Sequence, residues 1–163
     1  MTAPAWYIVA RRYIGTREIK GPKHEPKILA WWKAIKRGGI KDDETPWCAA
    51  FVGGVLEEVG LMSSRFESAA SYLDWGVPLK KPTLGAVVVL TRPGGNHVGF
   101  FAGIDRDGHW LLLGGNQSDS VSVAAFPPTR VMAGGVRWPE AVPMPDHVIQ
   151  PLWSATATSM SEA

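Results

Sequence analysis

The hydrophobic pattern of the chain changes period about halfway along. In the first half apolar residues recur at helical spacing. Trp6, Val9, Ala10, Tyr13 and Ile14 follow Pro4, which suits a first helical turn, and Gly15 closes the run. Residues 15–24 read as a loop. A second helix is predicted from Pro26 to about Lys36, stopped by Gly38-Gly39, with Trp31 and Trp32 divided between core and surface. A third begins behind Thr45, a good N-cap, with Pro46 at the first helical position. Ala49, Phe51, Val52, Val55, Leu56 and Val59 give it a broad apolar face, and Gly60 stops it. A short helix is predicted from Ser68 to Trp75.

The second half is β-branched and aromatic. GAVVVLTR (85–92), HVGFFAGI (97–104) and HWLLLGG (109–115) read as strands, with VSVAAF (121–126) and GGVRW (134–138) as two more. Helices followed by a meander of strands is an α+β pattern. From Pro139 the chain turns to Pro, Ser, Ala and Thr. The expected organisation is therefore one domain over 1–138 and a tail over 139–163, extended or disordered. No internal repeat is present.

Composition adds mostly exclusions. A chain of 163 residues can bury a core, and 45% hydrophobic with 20% charged residues is ordinary for a globular protein. The 18 Gly, 13 Pro and 8 Trp suggest many turns and a groove. A net charge of +2 does not argue for nucleic acid, which needs a concentrated basic patch. No run of about 18 apolar residues exists to enter a membrane. In MTAPAWYIVARR the apolar run precedes the arginines, the reverse of a signal peptide. Synthesis in the cytoplasm is expected, so that any action outside needs another component to give access.

The single cysteine excludes an internal disulfide and directs attention to TPWCAAFV (45–52). With Thr45 as cap, Cys48 is the third helical residue, beside unpaired amides and the positive helix end. That setting favours a thiolate and suits a nucleophile. Space-filling is the simpler account of a lone cysteine, so a histidine partner decides between them. His24 and His147 are expected to be solvated, and His109 to lie at the surface beside Asp107. His97 starts a strand. If DRDG (105–108) is a four-residue loop, Ile104 faces His109 and His97 faces Asn116. Cross-strand neighbours have Cβ atoms about 5 Å apart, so Asn116 can orient the imidazole toward a thiol. A tighter loop with a bulge at Gly108 brings Gln117 opposite instead, and a two-residue turn brings Ser118. Trp47, Gly95 and Asn96 flank these atoms as candidate substrate-binding residues. Asp42, Asp43 and Glu44 either bind a cation or amino group or simply place negative charge at a helix start.

The stretches TPWCAAFV, GAVVVL, NHVGFFAGI and GGNQSD, with ARRYIGTREIKGP near the N-terminus, resemble the papain-like peptidoglycan hydrolases. These are the CHAP and NlpC-type cysteine amidases and endopeptidases, and the likeness is to a branch found in phage endolysins and prophage proteins. It covers most of residues 3–138. It departs from the family at Gly85-Ala86, where many relatives carry Gly-Asp, and it offers no side-chain oxyanion donor beyond the Cys48 amide. The resemblance implies a papain-like fold with N-terminal helices on a C-terminal antiparallel sheet. It implies Cys48, His97 and Asn116 as catalytic residues, with no cofactor and no metal. It also implies bacterial peptidoglycan as partner at the cell wall or periplasm, with a holin, secretion system or immunity protein for access or control. Stem-peptide endopeptidase and muramoyl-alanine amidase both stay open. So do a lytic enzyme, a toxin delivered into rival bacteria, and a non-catalytic wall-binding or virion protein. Transglutaminase-like transfer uses the same residue types. A redox role lacks a second cysteine.

Overall fold

The computed structural model describes residues 3–20, 23–42 and 45–145. The chain is α+β, as its periodicity predicted. Three helices come first: α1 (Ala5–Arg12), α2 (Pro26–Ala34) and α3 (Cys48–Glu58). A 3-10 helix over Ala69–Asp74 leads into the strands β1 (Val77–Pro78), β2 (Val87–Arg92), β3 (Gly95–Ile104), β4 (Trp110–Gln117), β5 (Ser120–Phe126) and β6 (Val131–Trp138). They form one sheet in the order β1-β6-β2-β3-β4-β5, antiparallel throughout. Two-residue β1 has no period to read and was not foreseen. Among the described residues no helix is long and apolar enough to cross a membrane.

Helix α3 organises the interior. Every residue from Cys48 to Leu56 is buried. A helix apolar all round must be enclosed on all sides. Helix α2 packs along it, and strands β3 and β4 take the other side. Two mid-helix glycines permit the close approach. A Cβ on Gly54 would lie 2.5 Å from Trp31 Cδ1, and one on Gly53 would strike Ile35 Cγ2. This corrects the expectation for the tryptophan pair: Trp31 and Trp32 are both buried, at 4% and 0% exposure. Trp31 fills the notch over Gly54 instead of reaching solvent.

The helix ends differ from the sequence reading. Helix α1 stops at Arg12, two residues short, and Ile14 is exposed. The next residues instead extend the sheet: Gly15 N–H donates to Val121 O and Val121 N–H to Thr16 O. Helix α2 begins at Pro26 with the Glu25 carboxylate accepting from the Lys27 amide, and ends at Ala34. Helix α3 opens two residues later than predicted. Trp47 is its N-cap, with Trp47 O accepting the first helical bond from Phe51 N–H at 3.0 Å. Thr45 caps nothing; its amide and hydroxyl donate to Asp42 Oδ1. After Trp138 the chain turns, and Trp138 Nε1 donates to Pro143 O. Of the expected tail 139–163, residues beyond 145 lie outside the described part.

Gly54→Ala tests this packing. Alanine favours a helix by about 1 kcal/mol over glycine, yet the added methyl collides with the Trp31 ring. Overpacking of this kind costs roughly 1–3 kcal/mol. Urea denaturation is expected to show net destabilisation, where propensity alone would give the opposite sign.

Candidate active site

Cys48 is the first residue of α3, not the third. Its sulfur meets the amides of Ala49, of Cys48 itself and of Val98, the residue after His97 on β3. The helix start is therefore seated against the histidine strand. Gly115 on β4 makes room: a Cβ there would lie 2.7 Å from both the Trp47 ring and Phe51 Cβ.

His97 is buried and its Nε2 lies 2.9 Å from Gln117 Oε1. The Gln117 amide nitrogen donates to Ser122 O at 2.7 Å and faces Leu112 O at 3.3 Å. Two carbonyls fix which end of the carboxamide carries the hydrogens, so Oε1 is the atom turned to the imidazole. An acceptor there requires N–H at Nε2. Neutral His97 consequently carries its bare lone pair on Nδ1, which is buried with no hydrogen-bond partner. The His97 ring also lies 5.6 Å from the Phe126 ring, tilted 36° to it.

The orienting residue is therefore Gln117 and not Asn116, the residue first expected. The second of two register shifts explains the change. Ile104 pairs with Trp110, not His109, because the loop holds five residues. A bulge between Phe101 and Gly103 then restores the expected register, with Phe101 opposite Leu112 and Phe100 opposite Leu113. Continued regularly, that register would set His97 against Asn116. A second irregularity, between Gly114 and Gln117 in the β4–β5 ladder, intervenes. Asn116 adopts φ 59°, a left-handed conformation that Asn tolerates better than most residues. The extra residue turns Gln117 onto the imidazole. Gly114 clears the way, since a Cβ there would strike Gln117 Oε1. The GGN run ahead of Gln117 was the available signal for such a bulge.

The other candidates divide. Trp47 is fully buried, 5.8 Å from the Trp31 ring, and its Nε1 donates to Glu18 Oε1. It is a core clamp at the helix start and lines no groove. Asn96 holds the β2–β3 turn, donating to Leu90 O and accepting from Arg92 Nε. Gly95, the first residue of β3, is exposed beside that turn. Asp42 accepts from Thr45 as described, while Asp43, Glu44 and His147 lie outside the described residues. His24 is half-buried where it was expected to be solvated, and His109 lies partly exposed at the turn end of the hairpin, as expected. Asp105, Asp107 and His109 gather within 4.8 Å, but Asp105 Oδ1 already accepts from the amides of Asp107 and His109. That is a loop holding its own turn.

Burial dominates the titration of both reactive groups. It pushes the Cys48 thiol up, against the Val98 amide, the Arg92 charge and the two helix amides, which favour thiolate. The helix end therefore helps the anion without winning, contrary to the expectation from position alone. Burial also pulls the His97 imidazole down to about 4; the Gln117 bond resists, and Arg92 and Arg130 add to the fall. At neutral pH the resting pair is a neutral thiol and a neutral imidazole. No hydrogen bond joins them.

Compared with models of known protein families, with curated proteins and with solved structures, the chain has no match.

Two predictions follow from this geometry. For the thiol chemistry proposed below, Gln117→Leu is expected to lower turnover by about 100-fold, within the range for misplacing a general base, while Asn116→Gly keeps the left-handed backbone and most of the activity. The second concerns stability. His97 ionises near 6.5 when unfolded and about 4 when folded, so between those values the unfolded chain binds the additional proton. Stability contributed by neutral His97 is complete above about pH 6.5 and falls as pH drops toward 4, by about 3 kcal/mol in all. Urea titrations at neutral pH and near pH 4 should show a shallower pH dependence for His97→Gln than for wild type.

Proposed function

We propose that the chain is a cysteine amidase or endopeptidase that cleaves an amide of peptidoglycan by acyl transfer. The observation that carries this reading is the bare, buried Nδ1 of His97. Its tautomer is set by Gln117, and it lies on the strand whose next amide touches the only cysteine. A structural histidine has no need of an unsatisfied nitrogen, which costs about 1–3 kcal/mol when buried. A general base requires one. The peptidoglycan assignment rests on the sequence resemblance.

In the first step the Cys48 S–H bond breaks as sulfur attacks the substrate carbonyl, and the proton passes to His97 Nδ1. Gln117 accepts from Nε2–H throughout and steadies the imidazolium. The amides of Cys48 and Ala49 face the sulfur and can stabilise charge developing beside it. The imidazolium then gives its proton to the leaving amine as the C–N bond breaks, leaving a thioester. Water, deprotonated by His97, hydrolyses the thioester and restores the thiol. Because Cys48 is only 5% exposed, a shift of the covering residues accompanies substrate entry. The setting we favour is a phage endolysin, made in the cytoplasm and given access to the wall by a holin. A toxin delivered by a secretion system, with an immunity protein in its producer, uses the same chemistry.

Purified peptidoglycan incubated with wild type and with Cys48→Ala provides the test. Fragments released by wild type alone are expected, and mass spectrometry of the new termini names the bond. Equal release by both proteins would make Cys48 structural. Inertness of folded wild type on several wall types would favour a non-catalytic wall-binding or virion protein.

A further inference from the structure

The β2–β3 hairpin brings a guanidinium, without a carboxylate partner among the described residues, to the thiol–imidazole pair. Leu90 pairs with His97 and Arg92 with Gly95. Side chains alternate along a strand, so Arg92 shares the face of His97 and lies diagonal to it across the ladder. Directly opposite Arg92, Gly95 supplies no side chain. A Cβ on Gly95, or on Gly94 beside it, would meet nothing within 4 Å, so the ground at this corner is open.

Arg92 is held but not neutralised. Its Nε donates to Asn96 O at 2.9 Å, which anchors the fork. Among the described residues no carboxylate pairs with it. Its charge acts on both Cys48 and His97. Arg130 stands nearby, 5.4 Å over the Phe126 ring that packs beside His97, and it too acts on the imidazole. An unopposed cation beside the base is a poor arrangement for proton transfer, because it disfavours the imidazolium formed in the first step. An anion bound to Arg92 would remove that opposition. It would also match the planar fork, which pairs with carboxylates through two parallel hydrogen bonds.

We infer that Arg92 receives a carboxylate of the substrate, so that the site takes an anionic peptide whose free carboxylate lies beside the amide to be cut. Binding the correct substrate then also restores the basicity of His97. The identity of the cut amide rests on the function proposed above; the carboxylate preference does not.

The test is binding to Cys48→Ala, which cannot turn over. The probes are stem tetrapeptides in which each free carboxylate is replaced in turn by its carboxamide. A second pair of probes consists of N-acetyl dipeptides ending in carboxylate or carboxamide. At least one replacement is expected to weaken binding by roughly 10- to 100-fold, as for loss of a charge-assisted pair. In Cys48→Ala/Arg92→Gln the difference should shrink to about twofold or less, with Arg92→Lys between. Gly95→Glu, at the open position, should abolish the preference without unfolding the protein, because its carboxylate reaches Arg92 from across the ladder. The NMR titration of His97 should move upward on binding the carboxylate form only. Equal binding of carboxylate and carboxamide, preference that survives Arg92→Gln, or binding of no probe would overturn the inference. A preference confined to the dipeptides, lost in Arg92→Gln, would uphold the inference and count against the peptidoglycan reading.

Discussion

The structure depends on enclosing a helix that has no polar side at its working end. From Cys48 to Leu56 every residue of helix α3 is buried, so the helix must be enclosed on all sides. Gly53 and Gly54 let α2 close on one side, and Gly115 lets β4 close on the other. Trp47 secures the helix start between these partners, with its indole nitrogen tied to Glu18. Once the helix is enclosed, Cys48 has one place to be, against the Val98 amide of the histidine strand. The position of the Cys48 thiol is thus a consequence of core packing and not of a separate loop.

The same enclosure opposes reactivity. Desolvation disfavours thiolate and imidazolium alike, and here it outweighs the amides, the helix end and the Arg92 charge that assist the thiolate. A dry site lets the pair rest uncharged, which protects a lone thiol from oxidation and side reactions. In the proposed mechanism its cost is that proton transfer must create two charges where few are welcome. Charge brought in by the substrate changes that balance, and so does any movement that admits it. Site burial and substrate charge are therefore linked, because a neutral resting pair gains most from a ligand that stabilises its ionised form.

Periodicity revealed what depends on local pattern. The switch from helix to strand spacing, the helix behind Thr45-Pro46 and the long strands were all legible, and the chain order of Cys48 and His97 pointed to a shared site. What escaped notice depends on partners. Trp31 and Trp32 read as split because adjacent helical residues normally diverge, and nothing local says that a glycine on another helix will admit Trp31. The delayed start of α3 moved Cys48 from third to first position, since Asp42 takes up the hydrogen bonds that would have made Thr45 a cap. Register was the weakest link. A one-residue slip changes which side chain faces a partner, and two bulges stood between the hairpin loop and His97.

Those bulges also show why GGNQ is a unit. Gly114 leaves space for the Gln117 carboxamide, and Gly115 leaves space for Trp47 and Phe51 at the helix start. Asn116 supplies the left-handed residue that turns the strand, and Gln117 fixes the imidazole tautomer. Four consecutive residues therefore set both the approach of the helix that bears the sulfur and the orientation of the His97 imidazole. A side chain added at either glycine would shift one reactive group relative to the other, even though neither glycine touches the chemistry. Bulges elsewhere in a sheet can be moved with little consequence. This one cannot, because the seat of Cys48 and the orientation of His97 both depend on it.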